Sequence, residues 1–291
     1  MAASPRLAGC VALITGARRG IGRAIAARLA AHGATVVLHA SPASAAALAE
    51  NVEALRATGA RAFSLTADLG DAGARADLVE RAAMLAGGRV DILINNAATI
   101  GAYAPPGRID LAARQRLFAV NVDAPLDLIQ QALPAMRAAG WGRILNLSSE
   151  TTVTPPLPYP GPAKFVHALT AYGASKAALE RYTTGLAAEL HGSGVTVNAL
   201  KPYRIVRSES AAAVVAQLEA THPDWIEPVE LMAEAAYQLI VRGLNGEIAV
   251  SRDLLARLQA PLHALDGQRV IGDAQVIGAL PAQAGEDTSP I

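Results

Sequence analysis

Short apolar, β-branched runs alternate along this chain with longer alanine- and leucine-rich segments, and that alternation leaves few folds open. A run that is apolar throughout suits a strand buried on both faces of a parallel sheet, and the segments between such runs supply the covering helices. Strands are predicted at residues 10–15, 35–39, 61–66, 90–95, 142–147, 195–200 and 247–250. Helices are predicted at 21–32, 44–58, 74–86, 110–139 with a break near Asn121, 172–191 and 228–241. Gly33, Gly59 and Gly192 stand where helix C-termini favour a left-handed residue. The expected fold class is α/β, a doubly wound parallel seven-stranded sheet in a single domain over residues 1–280.

Two stretches break the alternation. Residues 151–170 carry Pro155, Pro156, Pro158, Pro160 and Pro162 with Tyr159 and Phe165, which predicts a long loop and no regular helix or central strand. Residues 281–291 are polar, contain proline and lack periodicity, so a disordered tail is expected.

Composition excludes several classes of function. Formal charge sums to zero, so no global field draws the chain to nucleic acid or an anionic membrane. One cysteine permits neither an intrachain disulfide nor a cysteine-based zinc site, and the six histidines show no metal-ligand spacing. No apolar run reaches membrane-spanning length, and the apolar start at residues 7–15 leads into a glycine-rich turn, not a cleavage site. A cytoplasmic protein without a metal is expected.

That turn reads Thr15-Gly16-Ala17-Arg18-Arg19-Gly20-Ile21-Gly22 and lies between the first strand and first helix. Glycines allow close backbone approach, and a helix N-terminus offers unpaired N–H groups to a pyrophosphate, as in Rossmann-type dinucleotide folds. Further on, Tyr172 and Lys176 are spaced i to i+4, which places them on one helix face. An unperturbed phenol titrates near about 10, too high for acid–base work at neutral pH, and a neighbouring ammonium would lower it.

Taken with Asp68, Asn95-Asn96-Ala97, Asn121 and Ser149 in that order, these motifs resemble the short-chain dehydrogenase/reductase family over residues 8–205. The resemblance implies hydride transfer between a nicotinamide cofactor and a carbonyl or alcohol. Tyr172 would be the general acid/base, and Lys176 would also bond the nicotinamide ribose. Ser149, the second of two serines closing the fifth strand, would hold the substrate oxygen, leaving Ser148 structural. Asn121 would kink its helix and hold a relay water. Cofactor contacts are implied at Thr15, Gly16, Arg18, Arg19, Gly20, Ile21, Gly22, Ser41, Asp68, Leu69, Asn95, Ala97, Tyr172, Lys176 and Pro202.

The second strand ends Leu38-His39-Ala40-Ser41 without the carboxylate that selects a ribose 2′-hydroxyl, while Arg19 and Arg18 could meet a 2′-phosphate. NADP(H) is therefore expected over NAD(H). The substrate would be a ketone, an aldehyde or a 3-oxoacyl-like compound, and the assembly a homodimer or homotetramer paired through the helices at 123–139 and 172–191. The alternative is a regulatory protein that senses NADP(H) with little turnover.

The pattern departs from the family in places. Between Ser149 and Tyr172 lie 22 residues, where the family usually has about 12, and such extra chain costs little closure entropy. The surplus falls in 151–170, which makes this insertion the expected source of substrate selectivity. Ala98 replaces a frequent glycine, and Pro202-Tyr203 replaces the common Pro-Gly, so that Tyr203 is expected to narrow the nicotinamide pocket. Residues 204–227 leave room only for a short substrate lid, and Ser251-Arg252-Asp253 stands in place of a frequent Asp-Gly-Gly ending.

Overall fold

Each predicted strand finds a place in one parallel sheet, and the helices between them pack on both of its faces. The structure, a computed structural model, describes residues 6–101, 104–153 and 163–273. The first half runs β1 (Val11–Ile14), α1 (Gly20–Ala31), β2 (Thr35–Ala40), α2 (Ala45–Ala57), β3 (Ala62–Thr66), α3 (Ala72–Arg75), α4 (Leu78–Ala86) and β4 (Ile92–Asn95). The second half continues with α5 (Leu111–Phe118), α6 (Ala124–Ala138), β5 (Gly142–Leu147), α7 (Ala163–Glu189) and β6 (Val195–Lys201). Then come β7 (Ile205–Val206), α8 (Ala212–Glu219), β8 (Ile226–Glu227), α9 (Val229–Arg242), β9 (Ile248–Val250), α10 (Ser251–Arg257) and the hairpin β10 (Leu262–His263) and β11 (Val270–Gly272).

The main sheet has the order β3-β2-β1-β4-β5-β6-β9, with parallel register throughout, for example Leu13 opposite Val37 and Leu93. Its order reverses between β1 and β4, so a crevice is expected beyond the C-terminal ends of those strands. Leu13, Ile14, Ile92, Leu93 and Ile94 are completely buried, each contributing roughly 1.5–3 kcal/mol. One apolar cluster lies under α1 and α9 and another under α4 and α6. No helix among the described residues is long and apolar enough to cross a membrane.

The 151–170 stretch is not a loop throughout: Glu150–Thr152 form a 3₁₀ turn and α7 begins at Ala163, immediately after the last proline. The prolines dominate the composition of the stretch, but all precede residue 163, and the chain beyond them is free to form helix. Extending α7 by about two and a half turns therefore absorbs part of the extra chain before Tyr172. Residues 154–162, with Tyr159, and the tail at 281–291 lie outside the described residues. The predicted 74–86 helix divides into α3 and α4, whereas the break at Asn121 appears as a π turn over Ala119–Asp123.

The segment 204–227 does fold as a small separate layer. β7 pairs with β8 in parallel, and α8 lies between them. The buried Glu227 anchors this layer, accepting hydrogen bonds from Tyr203 N and Arg204 N at 3.2 Å each and from Ser251 Oγ.

Candidate active site

At the end of β1 the glycine turn is shaped by close backbone approach. Thr15 Oγ1 donates to Ile94 O and accepts from Asn96 N and Ala97 N, binding the turn to the end of β4. Gly16 has φ +66°, and a Cβ there would lie 2.8 Å from Ala97 Cα. At Gly22 a Cβ would lie 2.4 Å from Asn96 Nδ2, which itself donates to Thr15 O and Gly16 O. Ala97 thus packs the turn from the side.

Helix α1 starts at Gly20 with no side-chain cap from Arg19, so its first N–H groups face outward for an anion. Gly20 N donates to Glu209 Oε2 at 2.9 Å, and Glu209 also pairs with Arg23. A carboxylate from the 204–227 layer thus takes the donor that the turn offers. This cradle fits a phosphate group by its donor chemistry and by its lack of room for side chains. Ile21 is half-buried beside it.

The other residues expected around a dinucleotide are spread along the same edge of the sheet. Arg19 and Ser41 are exposed and Arg18 is half-buried. Asp68 bonds Gly70 N and Arg116 Nη2, and the Arg116 bond holds its carboxyl below the usual range. Leu69 is buried, and Pro202 is half-buried after β6. Asn95 is buried and donates to Asn146 Oδ1, whose amide donates to Thr183 Oγ1, so its side chain ties β4 to β5 and α7.

Tyr203 does not stand open to the crevice as a narrowing side chain. It is buried, with the Arg252 and Arg204 guanidiniums over its ring at 4.4 and 4.7 Å.

Beyond β5 the second half of the site assembles. Helix α7 is pressed onto the 150–152 turn at Gly173, where a Cβ would lie 2.4 Å from Thr151 O. That approach sets Tyr172 beside the buried Ser149, whose hydroxyl acts on the phenol. Ser149 Oγ accepts from Thr151 N at 3.2 Å and Thr151 Oγ1 at 3.0 Å, and lies 3.4 Å from Glu150 Oε2. Burial, then the nearby Glu150 carboxylate, pushes the Tyr172 phenol up to about 12, with the Ser149 bond acting in the opposite direction.

Lys176 is buried, and desolvation pushes it down to about 8. Its Nζ donates to Leu147 O at 2.7 Å and lies 5.8 Å from the Tyr172 ring centroid. The expected lowering of the phenol by Lys176 is thus not what the structure displays: the ammonium is directed to a carbonyl, and burial with Glu150 dominates.

Asn121 sits fully buried in the π turn, a distortion that frees local backbone groups from the regular helical pattern. Its amide bonds both backbone groups of Thr99 and donates to Ser175 Oγ, which in turn donates to Tyr172 O. The side chain therefore ties the loop after β4 to α7.

Ser148 is turned away to Glu180, donating to Oε1 at 2.6 Å. Glu180 also meets Lys201 Nζ, which donates to Thr152 Oγ1. Sequence reasoning missed the carboxyls at 150, 180 and 227. Adjacency to Ser149 could have pointed to Glu150; nothing in the chain order signals Glu227.

The arrangement joins a glycine turn suited to an anion to Ser149, Tyr172 and the buried Lys176, and the chain as a whole is similar to known proteins. The model of the short chain dehydrogenase family matches residues 10–219. The ketoacyl reductase HetN of Nostoc is 30% identical over 264 residues, covering 90% of this chain and 85% of that one. Oxidoreductase UcpA of Escherichia coli K12 is 31% identical, covering 94% and 99%. Among solved structures, a 3-oxoacyl (acyl-carrier-protein) reductase from Agrobacterium tumefaciens with NADP bound superposes with TM-score 0.72 at 33% identity, covering 84% of this chain and 93% of that one. A short-chain dehydrogenase from Burkholderia cenocepacia in complex with NADP gives 0.71 at 32% identity, covering 84% and 97%. The chain belongs to the short-chain dehydrogenase/reductase family of oxidoreductases.

Proposed function

We propose that this protein interconverts a ketone or aldehyde, 3-oxoacyl-like compounds included, with the corresponding alcohol, using NADP(H) in preference to NAD(H). The observation that carries the reading is the close approach of α7 to the turn after Ser149 at Gly173, which sets Tyr172 beside Ser149 with Lys176 Nζ 5.8 Å from its ring centroid, on the same sheet edge as the glycine turn. In reduction, Ser149 holds the substrate oxygen and the Tyr172 phenol gives it a proton as negative charge develops. A phenol near 12 is fully protonated at neutral pH, the form this step requires. In the reverse direction Tyr172 takes the proton, with the Lys176 ammonium as the fixed positive charge on its helix face and Asn121 ordering a relay water. NADP(H) supplies or accepts the hydride when bound.

The cofactor preference rests on the absence of a carboxylate from Ala40-Ser41 at the end of β2 and on the exposed Arg19. NADP bound to the Agrobacterium and Burkholderia relatives supports it. Initial rates of NADPH and NADH oxidation with a panel of ketones, diketones, aldehydes and acyl thioesters test the reading. NADPH-favoured turnover is expected, with Arg19→Ala reducing the preference about tenfold through loss of a charge-assisted contact. No consumption of either cofactor across the panel would contradict it.

A further inference from the structure

The hydroxyl of Ser149 has one proton and two lone pairs. Both lone pairs are taken, by Thr151 N and by the Thr151 hydroxyl. The proton is what remains; Glu150 Oε2 accepts it at 3.4 Å, and the Tyr172 phenol, on which the Ser149 hydroxyl acts, is the other group it can serve. A reacting oxygen held by Ser149 would need that same proton.

We propose that Glu150 is a positioning residue for Ser149: its carboxyl contests the single Ser149 hydroxyl proton and so sets whether Ser149 can serve Tyr172 and the reacting oxygen. The proposal rests on the assignment of Ser149 and Tyr172 to the reaction. An ionised carboxylate accepts more strongly than a neutral phenol, so ionised Glu150 draws the proton to itself. Protonated Glu150 releases it.

The surroundings move this change above the ordinary carboxylate range. Burial pushes the Glu150 carboxyl upward, with the Ser149 bond and Lys201 of β6 pulling it back. Glu227 of β8 is a second carboxyl within electrostatic reach of Glu150, and Tyr172 of α7 is the titratable group it acts upon. The ammonium of Lys201 is shared with Glu180 and Thr152, and that of Lys176 donates to Leu147 O, so neither bonds Glu150 directly. Ser149 should therefore be the better donor on the acid side, and carbonyl reduction should weaken as pH rises through the Glu150 titration.

The test follows the carbon-13 signal of tyrosine labelled at Cζ, with Tyr172 assigned by its loss in Tyr172→Phe, between about pH 5 and about pH 9. This signal senses hydrogen bonding to the neutral phenol. In the wild-type protein it should move with one inflection above the ordinary carboxylate range of about 4.3. The inflection should vanish in Glu150→Gln, persist in Glu150→Asp and shrink at least about twofold in Ser149→Ala, as coupling through a shared partner requires. Should Glu150→Gln fail to fold, Ser149→Ala decides alone.

A flat wild-type signal would overturn the proposal. So would an equal inflection in Ser149→Ala, which would show charge acting through space and not through the serine. The rate of NADPH-driven reduction of diacetyl should fall through the same inflection in wild type and stay level in Glu150→Gln; equal profiles would also overturn it. If no carbonyl in the panel is reduced, the proposed activity fails while the Cζ signal still decides the role of Glu150.

Discussion

Two buried carboxylates show how differently one residue type serves this fold. Glu234 on α9 faces Arg28 of α1 at 2.9 Å, both side chains fully buried, with His263 Nδ1 at 3.0 Å and Arg28 also donating to His263 O. Glu227, on the small layer beside the site, is held by two backbone N–H groups and the Ser251 hydroxyl, and burial pushes it up to about 8. The first carboxylate is neutralised where helices must lock. The second, with Glu150 within electrostatic reach, leaves the reacting end of the sheet with two carboxyls held above their ordinary range by burial.

Removing the ion pair one partner at a time should break the comparison most visibly. Glu234→Ala leaves Arg28 buried and uncompensated, an expected loss of about 3–5 kcal/mol measured by urea unfolding. Replacing both, Arg28→Met with Glu234→Leu, should recover most of that loss. A loss below about 1 kcal/mol in the single variant would mean that the seam does not depend on the pair.

Glu227 should show itself through pH. Its folded value of about 8 lies above the ordinary carboxylate value, so the stability linked to its proton is complete below about pH 4 and lost as pH rises through about 8. Glu227→Gln should remove at least about 1 kcal/mol of the wild-type decline between about pH 5 and about pH 9. Parallel stability curves for the two proteins would contradict this account.

A smaller effect is expected at the glycine turn, where Glu209 takes Gly20 N. Glu209→Gln should tighten NADPH binding about three- to tenfold at low salt by weakening a competing anion at the helix N-terminus. Fluorescence titration with NADPH checks this, and weaker binding would show that Glu209 supports the cofactor site instead of competing for it.

The parts of this architecture visible in the sequence are those written in local pattern. The β1-turn-α1 unit is readable because Gly16, Gly20 and Gly22 answer a steric demand that few residues can meet. Tyr172 and Lys176 are readable because helical spacing puts them on one face. The start of α7 at Ala163 was hidden by five prolines just upstream, and the β10–β11 hairpin by strands of two and three residues, too short to show alternation. Pairings across the fold were not readable at all. That Lys176 donates to Leu147 O, or that Asn121 is taken up by Thr99 and Ser175, depends on how close β5, α6 and α7 are packed.

The central claim is hydride transfer with Tyr172 as the proton donor, and the most direct measurement is deuterium incorporation into the alcohol product from NADPH carrying deuterium at both C4 positions, by mass spectrometry. Wild type should place one deuterium on the new carbinol carbon, and Tyr172→Phe, folded and still binding NADPH, should do so roughly 10²–10⁴-fold more slowly. Transfer at the wild-type rate by Tyr172→Phe, or product formed without deuterium, would contradict the account.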